Sequence, residues 1–329
     1  YLISALHKPK LIYMKKQHTI THLFIGFGIV AGFYANGQAL CGRYTTNEGI
    51  NPLKNIHINI AGTPVLADID NDGDRDLFIG VINDQSRNAH TSFYRNDGSV
   101  TNPMFVLQTI NPLEKVSGRV SVSPVFADID GDKDLDCFIA DGYSGGLRYY
   151  ENTGTSTKAK FEKQSAGSNP LRMVRDVAFR SVTPAFADLD NDGDLDCLVS
   201  DDEGNSFFYK NNGSANKATF QLMPENNNLF SGLNKEYVTA PSFYDFNKDG
   251  LTDLFIANKY FKNTGTTTSP VFTADIDGPR FEKGIESSIN WADLNNDGIA
   301  EAITGTSAGA LRYQTTAPDI HLNITGSET

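Results

Sequence analysis

The chain has 329 residues, 39% of them hydrophobic, which suits a sizeable folded core and excludes wholesale disorder. A formal net charge of −12 disfavours nucleic acid or an anionic membrane surface as partner. That charge is concentrated, because five short loops hold 21 of the 40 acidic residues, so the acidity reads as metal-ligand sites more than as a general surface property.

In chain order, residues 1–13 precede Met14 and read as upstream read-through, and residues 14–39 read as a signal peptide. Met14-Lys15-Lys16 begins a basic segment, Leu23 to Ala35 is apolar, and Gly37-Gln38-Ala39 offers small residues to a signal peptidase. The apolar run is shorter than the roughly 20 residues that cross a bilayer, so no membrane span is expected. Cys41 raises a lipoprotein reading, which the large Leu40 directly before it disfavours. Residues 40–50 read as a linker into a repeat region over 51–325.

The repeats are visible as Pro64-Val65-Leu66-Ala67-Asp68, Pro124-Val125-Phe126-Ala127-Asp128, Pro184-Ala185-Phe186-Ala187-Asp188, Pro241-Ser242-Phe243-Tyr244-Asp245 and Ile289-Asn290-Trp291-Ala292-Asp293. A second signature follows in four of them: Tyr94-Arg95-Asn96-Asp97-Gly98, Tyr150-Glu151-Asn152-Thr153-Gly154, Tyr209-Lys210-Asn211-Asn212-Gly213 and Phe261-Lys262-Asn263-Thr264-Gly265. Asn-Pro-Leu recurs at 51–53, 111–113 and 169–171. Short runs rich in Val, Ile, Phe and Tyr, bounded by Gly, Asn, Asp and Ser, predict strands and hairpins. About four strands per repeat is the size of a propeller blade, so the predicted fold is all-β, a β-propeller of four-stranded blades. Cys137 and Cys197 hold the same place in successive repeats, too far apart for a disulfide, and are expected to be buried free thiols.

Each repeat carries an acidic loop with oxygen-bearing side chains at positions 1, 3, 5 and 9. They are Asp68, Asp70, Asp72 and Asp76; Asp128, Asp130, Asp132 and Asp136; Asp188, Asp190, Asp192 and Asp196; Asp245, Asn247, Asp249 and Asp253; and Asp293, Asn295, Asp297 and Glu301. Calcium takes six to eight oxygens, and alternating carboxylates on a tightly curled loop supply them. Position 7 is expected to contribute a backbone carbonyl, its side chain being free to vary: Asp74, Asp134, Asp194, Leu251 and Ile299. Glycine at position 6 (73, 193, 250, 298) permits the sharp turn. The second loop has Lys133 there, at a cost of roughly 1 kcal/mol, and is predicted to be the weakest all-aspartate site. Position 12 is Ile79, Ile139, Val199, Ile256 or Thr304 in place of an EF-hand glutamate, which rules that motif out.

Gly305-Thr306-Ser307-Ala308-Gly309 fits G-x-S-x-G, yet it aligns with a turn of the second repeat and lacks the helix of a nucleophile elbow. His57, His90 and His321 show no mutual pattern, and no catalytic residue is expected.

The loops and the aromatic-x-Asn-x-Gly signature resemble the FG-GAP/VCBS repeat family, the integrin-α-like propeller repeats, and most closely its bacterial secreted branch. The resemblance spans about residues 51 to 315. It implies about one calcium per repeat and frequent roles in adhesion or ligand binding. Family propellers often have seven blades, so the five repeats are expected to form a closed five-bladed ring or part of a seven-bladed one. The functional expectation is a secreted or cell-surface binding or adhesion module for an extracellular protein or glycan ligand. The alternative is the propeller domain of a secreted carbohydrate-active enzyme, a hydrolase or lyase.

Overall fold

The computed structural model describes residues 44–46, 51–56, 63–82, 89–116, 122–141, 146–176, 182–225, 228–230, 240–256, 259–275, 278–279, 289–305 and 311–316. The expected signal peptide (14–39), the segment 1–13, Cys41, His57 and His321 lie outside them. So does the interior of the G-x-S-x-G match, while the described strands on either side of it pair antiparallel from Gly305↔Leu311 onward, so a strand and not a helix follows the match.

The described residues form five four-stranded antiparallel sheets. Blade 1 comprises β2 (Thr63–Ala67), β3 (Asp76–Ile82), β4 (Ala89–Asn96) and β5 (Phe105–Leu107). Blade 2 comprises β6 (Pro124–Ala127), β7 (Asp136–Asp141), β8 (Gly146–Asn152) and β9 (Phe161–Lys163). Blade 3 comprises β10 (Val182–Ala187), β11 (Asp196–Asp201), β12 (Ser206–Asn211) and β13 (Phe220–Leu222). Blade 4 comprises β14 (Ser242–Tyr244), β15 (Asp253–Ile256), β16 (Lys259–Asn263) and β17 (Phe272–Ala274). Blade 5 comprises β18 (Ile289–Ala292), β19 (Glu301–Gly305) and β20 (Leu311–Thr316), completed by β1 (Tyr44–Thr46). The four strand positions of a blade are called A to D from the inside outward.

Residues 44–46, expected to be linker, are therefore structural. Tyr44 pairs with Thr316 and Thr46 with Gln314, so the first strand of the chain is the outermost strand of the last blade. The innermost strands neighbour one another in turn, β2 with β6, β6 with β10, β10 with β14 and β14 with β18, and β18 returns to β2. Across that last junction the Asn290 side chain donates to the Pro64 carbonyl at 2.7 Å. The ring closes at five blades, and a partial seven-bladed ring is excluded.

A four-stranded sheet has two apolar faces and can bury them only against neighbours. Five hydrophobic clusters do this, one at each blade junction. Phe78, Val65 and Phe93 of blade 1 meet Cys137, Ile139 and Tyr150 of blade 2. Phe138 and Tyr149 then meet Cys197, Val199 and Tyr209. Leu198 and Phe208 meet Leu254 and Phe261, and Phe255 and Tyr260 meet Trp291 and Ala302. Ile303 and Tyr313 close onto Leu66, Leu77 and Ile79. In blades 2, 3 and 5 the aromatic before Ala-Asp is the wedge: Phe126 lies 4.8 Å from Phe78 of blade 1, Phe186 5.1 Å from Phe138 of blade 2, and Trp291 4.8 Å from Phe255 of blade 4. Cys137 and Cys197 are buried and free, in different junctions, as expected.

The two secondary signatures have local causes. In aromatic-x-Asn-x-Gly, the asparagine Oδ1 accepts two backbone N–H groups of the C–D hairpin: Gly154 at 3.1 Å and Lys160 at 2.8 Å on Asn152. Asn96, Asn211 and Asn263 repeat the pattern. A Cβ on the signature glycine would stand 2.2–2.3 Å from a carbonyl oxygen across the hairpin in all four blades, so only glycine fits. In Asn-Pro-Leu, the asparagine amide holds a neighbouring strand (Asn169 Nδ2 to the Leu147 carbonyl, 2.6 Å) while its Oδ1 caps the leucine N–H at 2.9 Å. That leucine, Leu113 or Leu171, is fully buried.

The acidic loops and C–D hairpins lie at one end of the blades, and the B–C turns and D–A connections at the other. Replacing Asn152 by Ala strands two N–H groups of the hairpin. We expect a loss of about 2 kcal/mol of unfolding free energy in urea titration, whereas Thr153→Ala, on an exposed neighbour, stays within about 0.5 kcal/mol.

Candidate functional site

Each acidic loop joins strands A and B of its blade and is built by its own carboxylates. The position-1 aspartate turns the chain. Asp68 accepts N–H bonds from Asp72 (3.2 Å) and Gly73 (3.1 Å), and Asp188 does the same with Asp192 and Gly193. Position 5 then accepts the N–H of position 7, as in Asp132 with Asp134 at 3.0 Å and Asp297 with Ile299 at 2.7 Å. The outcome is convergence: Asp68, Asp70 and Asp72 present ligand oxygens within 4.8 Å of one another, as do Asp128, Asp130 and Asp132, and Asp188, Asp190 and Asp192.

Two backbone positions in every loop lie in the left-handed region, not one. Position 4 holds Asn71 (φ 55°), Gly131 (75°), Asn191 (58°), Lys248 (57°) and Asn296 (56°). Position 6 holds Gly73 (94°), Lys133 (73°), Gly193 (91°), Gly250 (85°) and Gly298 (85°). Every loop thus has one glycine and one other residue in this pair, and the second loop has merely exchanged them. Among the three all-aspartate loops the second still bends a lysine (Lys133) where the first and third bend an asparagine (Asn71, Asn191), and the fourth bends a lysine too. Gly131 has a further reason to be glycine: a Cβ there would meet the Ala215 carbonyl of the next blade at 2.8 Å.

The position-9 acid opens strand B and is buried in every blade: Asp76, Asp136, Asp196, Asp253 and Glu301 are each at most 2% exposed. In the first four blades its Oδ1 accepts the N–H of the signature asparagine, at 2.7 Å for Asp76 and 2.8 Å for Asp136, Asp196 and Asp253. A strand-C tyrosine satisfies the other oxygen in blades 2 and 4, from Tyr149 at 2.9 Å and Tyr260 at 2.7 Å. Blade 1 has Phe93 in that register, and Asp76 Oδ2 is buried without a partner.

Further orphaned oxygens cluster on the loops. Buried Oδ1 atoms of Asp70, Asp74, Asp130, Asp134, Asp190, Asp194 and Asp245 have no hydrogen-bond partner. Buried polar atoms are normally satisfied, and unpaired buried carboxylate oxygens call for a cation. A hard oxygen-seeking ion such as calcium fits this donor set in loops 1 to 3. At position 7 of these loops the carboxylate adds to the donor set beside the backbone carbonyl expected there. Asp134 and Asp194 are buried with an orphaned oxygen aimed away from water. In loops 4 and 5 the same position is the apolar Leu251 or the partly exposed Ile299.

Loops 4 and 5 are also neutralised differently. The Asn247 amide donates to Asp253 (3.2 Å), and the Asn295 amide donates to Glu301 (2.9 Å) and Asp297 (3.0 Å), so neutral donors tie these carboxylates together. Glu301 is satisfied at both oxygens, by Asn295 and by the Leu294 N–H.

One position escaped the reading of the loops, although it sits in the second signature. The residue between the aromatic and Asn on strand C borders the loop. Lys210 is ion-paired with Asp190, and Lys262 lies 3.2 Å from Asp249. Arg95 pairs with Asp97 at 2.5 Å and draws on Asp70, whereas blade 2 has Glu151, which adds negative charge beside Asp130.

Burial, followed by the neighbouring loop carboxylates, raises Asp74, Asp134 and Asp194 to about 6. Burial raises Asp76 and Asp136 to about 7, Asp196 to about 6 and Glu301 to about 8. Folded-state values above the unfolded ones mean that protons stabilise the ion-free fold, and that this stability disappears as pH rises through 6 to 8. With a chelator present, the melting temperature should therefore fall from pH 5 to pH 8. Millimolar calcium, replacing the protons, should flatten or reverse that slope. A second expectation concerns the tethered amine: Lys210→Met should tighten calcium at the third loop by about three- to fivefold in isothermal titration, the worth of a partly exposed ion pair.

The FG-GAP-like repeat model matches residues 68–139, 128–199 and 188–256, together more than half of the chain. Among solved structures the chain is similar to a lectin of Agrocybe aegerita described as recognising non-reducing terminal N-acetylglucosamine. The identity is 17%, the TM-score 0.40, and the match covers 80% of this chain and 69% of that one. It is also similar to the rhamnogalacturonan lyase YesW, at 12% identity and TM-score 0.36, over 84% of this chain and 54% of the lyase. The exotype rhamnogalacturonan lyase YesX matches at 12% identity and TM-score 0.35, over 83% and 50%. No curated protein matches the sequence. The chain belongs to the FG-GAP-like repeat family.

Proposed function

We propose that this chain is an exported, calcium-stabilised five-bladed propeller that works as an extracellular binding module. The observation that carries the reading is the set of converging loop carboxylates with orphaned buried oxygens, repeated at one end of successive blades. A cation there neutralises charge that folding has taken out of water, and it joins strands A, B and C of a blade through the position-9 acid. The opposite end is then free to vary from blade to blade, which is how a rigid scaffold presents a binding surface. Export fits the same chemistry, because calcium sites of extracellular modules fill at about 10⁻⁴–10⁻³ M. The leader-like segment at 14–39 supports export independently. The ligand is an extracellular protein or glycan; among the described residues no helix is long and apolar enough to cross a membrane.

Three measurements test this together. Excess chelator should lower the melting temperature of the purified chain by roughly 10 °C or more, through loss of mass-action stabilisation. A tagged full-length chain should be recovered outside the cytoplasm and shortened near residue 39. A glycan and protein array should return a binder without turnover. An unchanged melting curve sinks the calcium assignment. Hydrolase or lyase turnover that disappears on replacing one carboxylate outside the loops replaces the binding module with an enzyme.

A further inference from the structure

Each of loops 1 to 3 leaves buried carboxylate oxygens without partners, on Asp70 and Asp74, Asp130 and Asp134, and Asp190 and Asp194. Loop 5 has three acids, Asp293, Asp297 and Glu301, and leaves none. Each of their carboxylate oxygens accepts a hydrogen bond from inside the loop. Asp293 Oδ1 accepts the Asp297 N–H at 3.1 Å, and its Oδ2 the Gly298 N–H at 2.7 Å. Asp297 Oδ1 accepts the Ile299 N–H at 2.7 Å, and its Oδ2 the Asn295 amide at 3.0 Å. Glu301 Oε1 accepts that same amide at 2.9 Å, and its Oε2 the Leu294 N–H at 2.8 Å. The Asn295 amide thus bridges the acids of positions 5 and 9, which a calcium ion would draw together as ligands.

Two residues make this closure possible. Asn295 stands at position 3, a neutral donor where loops 1 to 3 have Asp70, Asp130 and Asp190. Glu301 stands at position 9, and its extra methylene lets the carboxylate turn back into the loop. In the first four blades the position-9 aspartate reaches across to the signature asparagine of strand C. Blade 5 has Thr316 in that register, opposite Tyr44 as Asn96 is opposite Phe105. Loop 4 is intermediate: its Asn247 amide reaches Asp253 at 3.2 Å, but the buried Asp245 Oδ1 has no partner.

A positive charge also reaches loop 5 from the neighbouring blade. A Cβ added at Gly298 would stand 2.7 Å from the Lys248 Nζ, so an ammonium carried by loop 4 lies against the turn of loop 5. Among the described residues, converging acid triples form in loops 1 to 3 and not in loop 5.

We propose that the fifth loop takes no calcium, and that the blade closing the ring is held by its own side chains. The proposal rests on the calcium reading of loops 1 to 3 and marks where it stops. An ion entering loop 5 would have to break the Asn295 bridge and would meet no orphaned oxygen. In loops 1 to 3 it meets carboxylates that have nothing to lose. The consequence is regional. Blade 5 carries contacts that shut the ring, the pairing of β1 with β20 and the Asn290 side chain on the Pro64 carbonyl. Those contacts outlast the loss of calcium, while the loops of blades 1 to 3 loosen.

Two readouts on the full chain test this. Native mass spectrometry at saturating calcium counts ions on the parent, on Asp68→Asn/Asp72→Asn in loop 1 and on Asp293→Asn/Asp297→Asn in loop 5. The loop 1 variant should carry one ion fewer than the parent, and the loop 5 variant the same number. An ion lost from the loop 5 variant overturns the proposal. Hydrogen exchange of the parent, below its melting temperature and with or without chelator, then follows each loop separately. Peptides covering 63–82, 124–141 and 182–201 should exchange about tenfold faster or more on chelation, and those covering 289–305 within about twofold of the loaded rate. Equal acceleration over 289–305 also overturns it. If either variant fails to fold, the exchange pattern of the parent decides alone. Should no ion bind and chelation move no peptide, the calcium reading falls and the contrast with it. A chelator effect that extends to loop 5 defeats the contrast only.

Discussion

The structure depends on one buried acid per blade. Asp76, Asp136, Asp196, Asp253 and Glu301 begin strand B with almost no exposure, where an uncompensated carboxylate is strongly disfavoured. Its place is secured from two sides. Within the sheet, in the first four blades, it accepts the backbone N–H of the strand-C asparagine, and that asparagine's side chain holds the C–D hairpin. On the other side, in the first three blades, it abuts a loop of carboxylates with buried Oδ1 atoms that lack partners. A cation in that loop would settle both problems at once, which is the coupling of loop, strand order and hairpin that the proposed calcium would provide. Without an ion, burial and the neighbouring loop acids push the protonation of these carboxylates toward neutral pH.

The same unit explains how the ring tolerates variation. Blade packing is set by apolar wedges such as Phe126, Phe186 and Trp291, which repeat with little change. Charge compensation is local and differs from blade to blade. Lys210 and Lys262 bring an ammonium to their loops, Asn295 ties Glu301 and Asp297 through a neutral amide, and Glu151 does the opposite by adding negative charge beside Asp130. On these grounds the five loops are unequal for electrostatic reasons more than for the backbone reason that Lys133 first suggests. The left-handed pair at positions 4 and 6 carries one glycine in every loop.

Repeat number, strand count and the ligand pattern could be read from the chain because each rests on a local rule: period, alternation, and acid spacing about a tight turn. Ring closure could not. Tyr44–Thr46 has no motif and is a strand only because Thr316 to Gln314 offers a free edge 270 residues later. The role of the signature asparagine was likewise visible as a recurrence but not as a cause, since its partners lie across the hairpin. At position 7, where Asp, Leu and Ile all occur, the sequence offers only the backbone carbonyl as a constant. The burial of Asp134 and Asp194 arises from the fold of the loop and not from its composition.

The two ends of the propeller therefore answer to different constraints. At the metal end, a substitution meets a loop carboxylate, a left-handed turn and the neighbouring blade together, as Gly131 against the Ala215 carbonyl illustrates. At the other end the asparagine turns at Asn111, Asn169 and Asn228 anchor their connections with two hydrogen bonds and one buried apolar residue each. Equivalent backbones there carry different side chains, Ser92, Arg148 and Phe207 among them. A scaffold held by its loops at one end can change the chemistry at the other without repacking its core, and Ser92, Arg148, Phe207, Lys259 and Arg312 in one register position are what such a division permits.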